Sequence, residues 1–302
     1  MEIKQNYELK KHTTFKIGGE AKCVYFPKTV DELVELLTKK EKPILLGSCS
    51  NVLISSYGID DEVIITSKIT QYSFEGNRLT TSCGTKGPLL SKECYNLGLS
   101  GLEFMIGFPG SIGGMIYMNA SAHNQAISDN FVSCKVFDLD TKKVLSLKRA
   151  DMNFKYRKSI LSEKNYILLS ADFEFKEDEK EKINEMMQKN LEFRKTKQPS
   201  LVLPNVGSSF KNPENDSAGR LLDQAGAKGL EVGGAKVWEN HANFIVNFNN
   251  STSKDVLNLM LKMYDIVREK YSIELQPEVK FIGKRDEEEV RIWNILNKEN
   301  TH

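Results

Sequence analysis

The chain has 302 residues, enough for two domains with ample apolar core. Its 40% hydrophobic and 27% charged residues are the composition of a soluble globular protein, and a net charge of +1 leaves no electrostatic footprint for nucleic acid. No apolar run approaches the ~20 residues of a membrane span, and the charged N-terminus lacks a signal peptide's apolar core. The 5 cysteines include no C-x-x-C pair and fit reduced thiols of a cytoplasmic protein. Four scattered histidines (His12, His123, His241, His302) give no metal-ligand spacing, so no metal is expected.

In chain order, residues 13–21 (TTFKIGGEA) read as a short strand ending in a Gly-Gly turn. Thr29 and Glu32 have capping-box spacing ahead of an amphipathic helix carrying Val30, Leu33, Val34 and Leu37. Pro43 ends that helix, and residues 44–46 form a buried strand running into a Gly/Ser loop, LGSCSNVL. Strands are predicted at 62–66 and 78–83, then a helix over 88–97 closed by Gly98. Further strands read at 131–138, 143–147 and 166–175, followed by a charged helix over 177–197 with Ile183, Met186, Met187, Asn190 and Leu191 near one side. A domain boundary is expected at its end, giving domains 1–197 and 198–302. The second part holds LPNVGSSFKNP, a helix over 218–225, a Gly-rich strand-turn and a strand over 243–248. A helix over 253–271, a strand over 278–282 and a helix near 290–296 complete it. The order is mixed α+β without a βαβ repeat.

The stretch 101–121, GLEFMIGFPGSIGGMIYMNAS, has five glycines among apolar residues and reads as a buried ribbon of bare N–H groups suited to a phosphate-bearing ligand. Alone, such a cluster reads more readily as a turn between core strands. The similar loop at 46–53, with Ser48, Ser50 and Asn51 beside Gly47, tips the reading toward a dinucleotide held by both. Neither G-x-G-x-x-G nor a P-loop motif occurs, so a Rossmann or P-loop site is unsupported.

PILLGSCSNVL, GFPGSIGGMIYMNA, FKYRKSIL, GSSFKNP, AGAKGLEVGGAKV and QPEVKFIG occur in an order that resembles the UDP-N-acetylenolpyruvoylglucosamine reductase family, over nearly the whole chain. The resemblance implies a fold: an FAD-binding domain of the vanillyl-alcohol-oxidase (PCMH) type plus a smaller C-terminal α+β substrate domain. The short spacing between FKYRKS and GSSFKNP resembles the sub-type without the extra tyrosine loop. The implied activity is NADPH-driven reduction of UDP-N-acetylglucosamine enolpyruvate to UDP-N-acetylmuramate for peptidoglycan, in a cytoplasmic enzyme expected to be a monomer. FAD would be bound non-covalently by Gly47, Ser48, Cys49, Ser50, Asn51 and Val52, and by Gly107, Pro109, Gly110, Ser111, Gly113, Gly114 and Asn119.

Residue by residue, the resemblance assigns Arg157 as catalytic arginine, Ser208 as proton donor and Glu278 as catalytic glutamate. A guanidinium can stabilise the enolate left by hydride addition, and a hydroxyl can deliver the proton, with Lys211 a candidate to stabilise the alkoxide left behind. Outside the motifs, Arg157 reads as a surface charge, Ser208 as a turn residue and Glu278 as an edge-strand carboxylate. Tyr156, Lys211, Asn212 and His241 are candidate substrate ligands, with a structural role nearly as natural for His241. Asn243 could reach the substrate too. Three positions depart from the family pattern: Cys49 where a glycine is usual, NASAHNQ where a Gly-containing run is common, and Trp238 where a small residue is common. Cys49 is expected to keep a negative φ, its side chain turned from the pyrophosphate.

Overall fold

The computed structural model describes residues 1–200 and 202–298, so His302 lies outside the described residues. Helices are α1 (Val30–Lys39), α2 (Gly87–Leu97), α3 (Ile112–Tyr117), α4 (Lys180–Lys197), α5 (Ala218–Gln224), α6 (Ser253–Tyr271) and α7 (Glu287–Leu296). The described chain divides into two compact units, each discontinuous in sequence. One comprises Met1–Gln5, Cys23–Ser48 and Asp61–Glu192, and the other Asn6–Lys22, Cys49–Asp60 and the chain from Phe193 onward.

In the first unit, Val63–Ile65 pairs in parallel with Ile44–Leu46 and with Val24 and Tyr25 of the strand Glu20–Phe26. A five-stranded antiparallel sheet has the order Lys143–Lys148, Phe131–Asp138, Tyr166–Glu174, Arg78–Ser82, Tyr72–Glu75. One core unites Leu33 and Leu37 of α1, Leu90 and Cys94 of α2, Ile112 and Met115 of α3, and Val136, Phe137, Leu169 and Phe173 of the sheet. The α1 cap differs from a closed capping box. Thr29 Oγ1 accepts the Glu32 N–H at 3.2 Å, but the Glu32 carboxylate accepts the Lys28 N–H and the N-terminal ammonium, both at 2.7 Å. Gly98 ends α2 with φ 70, a left-handed value glycine takes without steric cost.

In the second unit, the sheet order is Asn205–Ser208, Phe244–Asn247, Ala235–Val237, Glu231–Val232. Lys280–Ile282 pairs in parallel with Val52–Ile54. The core joins Phe15, Ile17 and Leu53 from early in the chain to Val206, Phe210, Leu221, Leu222, Ile245 and the Val256, Leu259, Met260, Met263, Val267 stripe of α6.

Two expectations are corrected. The strand predicted at 13–21 begins only at Glu20, because the Thr13 and Thr14 hydroxyls bond backbone carbonyls and Gly18 takes φ 144. The stretch 101–121 is not an extended ribbon: it coils into a 3-10 turn at Glu103–Gly107 and into α3.

Candidate active site

The predicted residues fall in both units, and each set has its own local geometry. In the first unit, Gly47 follows the parallel strand Ile44–Leu46. A Cβ added there would lie 2.5 Å from Ser111 Oγ, so a larger residue would have to displace that hydroxyl, and the two predicted loops meet at this point. The segment 109–113 is stitched to the turn Cys83–Gly87. Gly87 N–H donates to the Gly110 carbonyl at 3.1 Å, Ile112 N–H to the Thr85 carbonyl at 2.9 Å and Gly113 N–H to the Cys83 carbonyl at 2.8 Å. The Ile112 and Gly113 N–H groups are therefore not bare, contrary to the ribbon reading. Side chains offer hydrogen bonds instead: Ser111 Oγ and Asn119 Oδ1 are buried without a partner among the described residues. Such orphaned polar atoms are costly unless something satisfies them. With open space over Gly114, they fit a polar cofactor.

Arg157 sits in the two-residue turn between Lys155 and Lys158, whose N–H and carbonyl groups bond reciprocally at 3.0 and 3.1 Å. Its φ is 55, at the turn position where Gly or Asn is usual. Its guanidinium lies 5.0 Å from the Tyr156 ring centroid and donates from Nη1 to Ser121 Oγ at 2.8 Å. Tyr156 itself is 52% exposed. His123, with Asn124, forms the left-handed tip of a hairpin pairing Ala122 with Gln125.

In the second unit, the expected negative φ of Cys49 is overturned: it is 50. The Thr14 hydroxyl, 2.8 Å from the Asn205 carbonyl, also reaches the Cys49 carbonyl at 3.2 Å, pinning the backbone there. Burial pushes the Cys49 thiol up to about 12, so the sulfur is an inert thiol. Asn51 Nδ2 donates to the Glu278 carbonyl and Lys280 N–H to the Asn51 carbonyl, both at 3.0 Å.

Ser208 ends a strand after Gly207, whose φ is 77. The residues that follow run antiparallel to 276–278. Glu278 N–H donates to the Ser209 carbonyl at 2.9 Å, and Lys211 N–H to the Gln276 carbonyl at 2.8 Å. Ser208 and Glu278, far apart in sequence, thus lie on adjoining backbones. Ser208 is half-buried and Ser209 fully buried, while Glu278 is 8% exposed.

Asn243 holds this arrangement. Its Oδ1 accepts the Phe210 N–H at 2.9 Å, its Nδ2 donates to the Phe210 carbonyl at 2.8 Å, and its carbonyl accepts the Ser209 N–H at 2.8 Å. His241 accepts the Asn243 N–H on Nδ1 at 3.3 Å and packs edge-on against Phe244 at 4.7 Å. Burial pushes its pKa below 6.5. Asn212 Oδ1 accepts the Ala218 N–H at 3.1 Å, at the start of α5. The Trp238 indole N–H is buried without a partner among the described residues.

The sequence reading passed over the Cys83–Gly87 turn, although GTKGP carried a signal in its two glycines and proline. It also passed over Ser121, an ordinary small residue whose contact with Arg157 has no local signature.

Residues 21–147 match the family described as FAD binding domain, and residues 198–282 that described as UDP-N-acetylenolpyruvoylglucosamine reductase, C-terminal domain. A UDP-N-acetylenolpyruvoylglucosamine reductase of Caldicellulosiruptor bescii is 41% identical over 291 residues, covering 94% of this chain and 92% of its own. The chain belongs to the UDP-N-acetylenolpyruvoylglucosamine reductase family. The Bacillus velezensis protein of that name is 38% identical, covering 91% of this chain and 92% of its own. The crystal structure of the Thermus caldophilus reductase superposes with a TM-score of 0.81 at 33% identity, covering 93% of this chain and 99% of that one. Membership makes the fold a PCMH-type FAD-binding domain plus the family's C-terminal domain, and the protein an FAD-dependent oxidoreductase of peptidoglycan synthesis. Among the described residues, no helix is long and apolar enough to cross a membrane.

Proposed function

We infer that the protein reduces the enolpyruvyl ether of UDP-N-acetylglucosamine enolpyruvate to UDP-N-acetylmuramate, with NADPH as hydride source. The observation that carries this reading is the match at 41% identity over 94% of the chain to a reductase of that name. Bound FAD supplies hydride transfer between the two substrates. Ser111, Asn119 and the backbone around Gly47 would hold it, together with Cys49–Val52, Gly107, Pro109, Gly110, Gly113 and Gly114. Substrate binding falls largely to residues within 198–302, and the enzyme works as a cytoplasmic monomer.

Arg157 binds the substrate carboxylate and neutralises the charge that builds on it as the enolate forms, a charge-assisted contact stronger than one to a neutral donor. Ser208 delivers a proton to the adjacent carbon, and Lys211 stabilises the alkoxide left behind. Glu278, buried beside the Ser208 strand, supports proton delivery. Tyr156, Lys211, Asn212 and His241 contact the sugar nucleotide.

Two measurements test the reading. Purified protein should carry FAD and oxidise NADPH only when the enolpyruvyl sugar nucleotide is present; NADPH oxidation without it would point to a different flavin enzyme. In rapid mixing, Ser208→Ala should leave flavin reduction by NADPH near its wild-type rate and slow reoxidation by substrate about 10³-fold, the range of a lost general acid. Equal slowing of both phases would remove Ser208 from the proton-donor role.

A further inference from the structure

The Arg157 turn is fastened to one short segment in a regular register. Ser159 Oγ donates to the Tyr117 carbonyl at 2.8 Å, Asn119 Nδ2 to the Lys155 carbonyl at 3.1 Å, and Arg157 Nη1 to Ser121 Oγ at 2.8 Å. The partners fall at every second residue of 117–121, the stretch that leaves α3. Arg157 also reaches the Ser121 carbonyl, at 3.4 Å.

Ser121 is itself held firmly. It pairs with Ala126 in the 121–126 hairpin. Gln125 Nε2 of that hairpin donates at 2.7 Å to Glu103, a carboxylate 2% exposed that also accepts the Gly101 N–H and the Ser100 hydroxyl. A fully hydrogen-bonded buried carboxylate makes a rigid anchor. An arginine side chain, by contrast, loses up to ~2 kcal/mol of rotamer entropy when it is fixed. A guanidinium that must meet a developing enolate gains from being fixed before substrate arrives.

We propose that Ser121 is a positioning residue for Arg157: its hydroxyl holds one edge of the guanidinium and so fixes the orientation in which that group meets the substrate carboxylate. The proposal rests on the role given to Arg157 above. Ser121 touches no reacting atom in this account, and its effect passes through the arginine.

The test uses FAD-loaded enzyme, with NADPH and the enolpyruvyl sugar nucleotide as the two reactants. Ser121→Ala should keep its flavin content and its rate of flavin reduction by NADPH, and slow reoxidation by substrate about tenfold, as expected for a lost hydrogen bond to a charged group. Ser121→Thr, which restores a hydroxyl, should recover most of that loss. In an Arg157→Ala background, Ser121→Ala should add less than twofold. A wild-type reoxidation rate in Ser121→Ala beside a slow Arg157→Ala would overturn the proposal and leave the arginine's role standing. So would the full tenfold loss persisting without the arginine, or loss of flavin from Ser121→Ala. A wild-type rate in Arg157→Ala would remove the arginine's role, and the proposal with it.

Discussion

Two residues with left-handed backbones, Cys49 and Arg157, could not be anticipated from residue type, because each carries a Cβ where Gly or Asn is at ease. At Cys49 the Thr14 hydroxyl bonds the backbone carbonyl and helps hold the conformation, and Thr14 is 35 positions away. Replacing Cys49 with glycine relieves about 1 kcal/mol of αL strain but frees the unfolded chain by a similar amount and removes a buried thiol. Cys49→Gly is therefore expected to change stability by less than about 1 kcal/mol. Cys49→Val, of similar volume but β-branched, should cost about 2 kcal/mol or more. Urea unfolding of the two variants checks this order, and a reversal would mean that strain at this position is negligible.

His241 gives a pH signature at the same scale. Burial, with a smaller contribution from Lys228, lowers its folded pKa below the 6.5 of the unfolded chain. The unfolded state then binds the proton more readily, so stability is fully present above pH ~6.5 and falls as pH drops below it. Wild type and His241→Gln, melted from pH 7.5 to 5, should differ in slope below that point, with the variant flatter. Parallel slopes would show that the imidazole titrates alike in both states.

At the scale of elements, what was legible was what local chemistry decides alone. Helix α6 occupies its predicted span, 253–271, because an apolar stripe of helical period follows a reciprocal cap: Thr252 Oγ1 accepts the Asp255 N–H at 3.1 Å, and Asp255 Oδ2 accepts the Thr252 N–H at 2.9 Å. The helix read at 290–296 starts earlier, at Glu287, because Asp286 and Glu289 form a further capping box that the reading did not use. Failures came where distant backbone decides. Residues 101–121 carry glycines that suggest an open ribbon, but the Cys83–Gly87 turn takes up the Ile112 and Gly113 N–H groups and the chain coils there. Of the proposed site, the motifs supplied the individual residues as candidates. The clamping of Phe210 by Asn243 and of Arg157 by Ser121 was not, since neither contact has a sequence period. Thr252→Ala should cost about 1 kcal/mol through loss of the α6 cap, read as a lower urea midpoint at unchanged m-value. An unchanged midpoint would show that the cap adds nothing beyond what packing of α6 supplies.

For the whole molecule, the decisive fact is that the second unit is assembled from three stretches of chain. Its core includes Phe15, Ile17 and Leu53, and its parallel pairing of Lys280–Ile282 needs Val52–Ile54. Burying three such side chains is worth about 1.5–3 kcal/mol each, together comparable to the entire net stability of a small domain. A fragment of residues 198–302 is therefore expected not to fold cooperatively alone, although the matched C-terminal domain family spans 198–282. A dispersed amide spectrum and a sigmoidal melt from that fragment would contradict this. Without them, adding back peptides 6–22 and 49–60 should restore some cooperativity.

The same three-part assembly sets a schedule for synthesis on the ribosome. Residues 6–22 and 49–60 emerge early, yet the stretch they pack with begins at Phe193. At ~5–20 residues per second, the apolar side chains of those early segments wait on the order of ten seconds for their partners. During that interval a nascent chain offers Phe15, Ile17 and Leu53 to whatever holdase chaperone is at hand, while the chain between them is still being made.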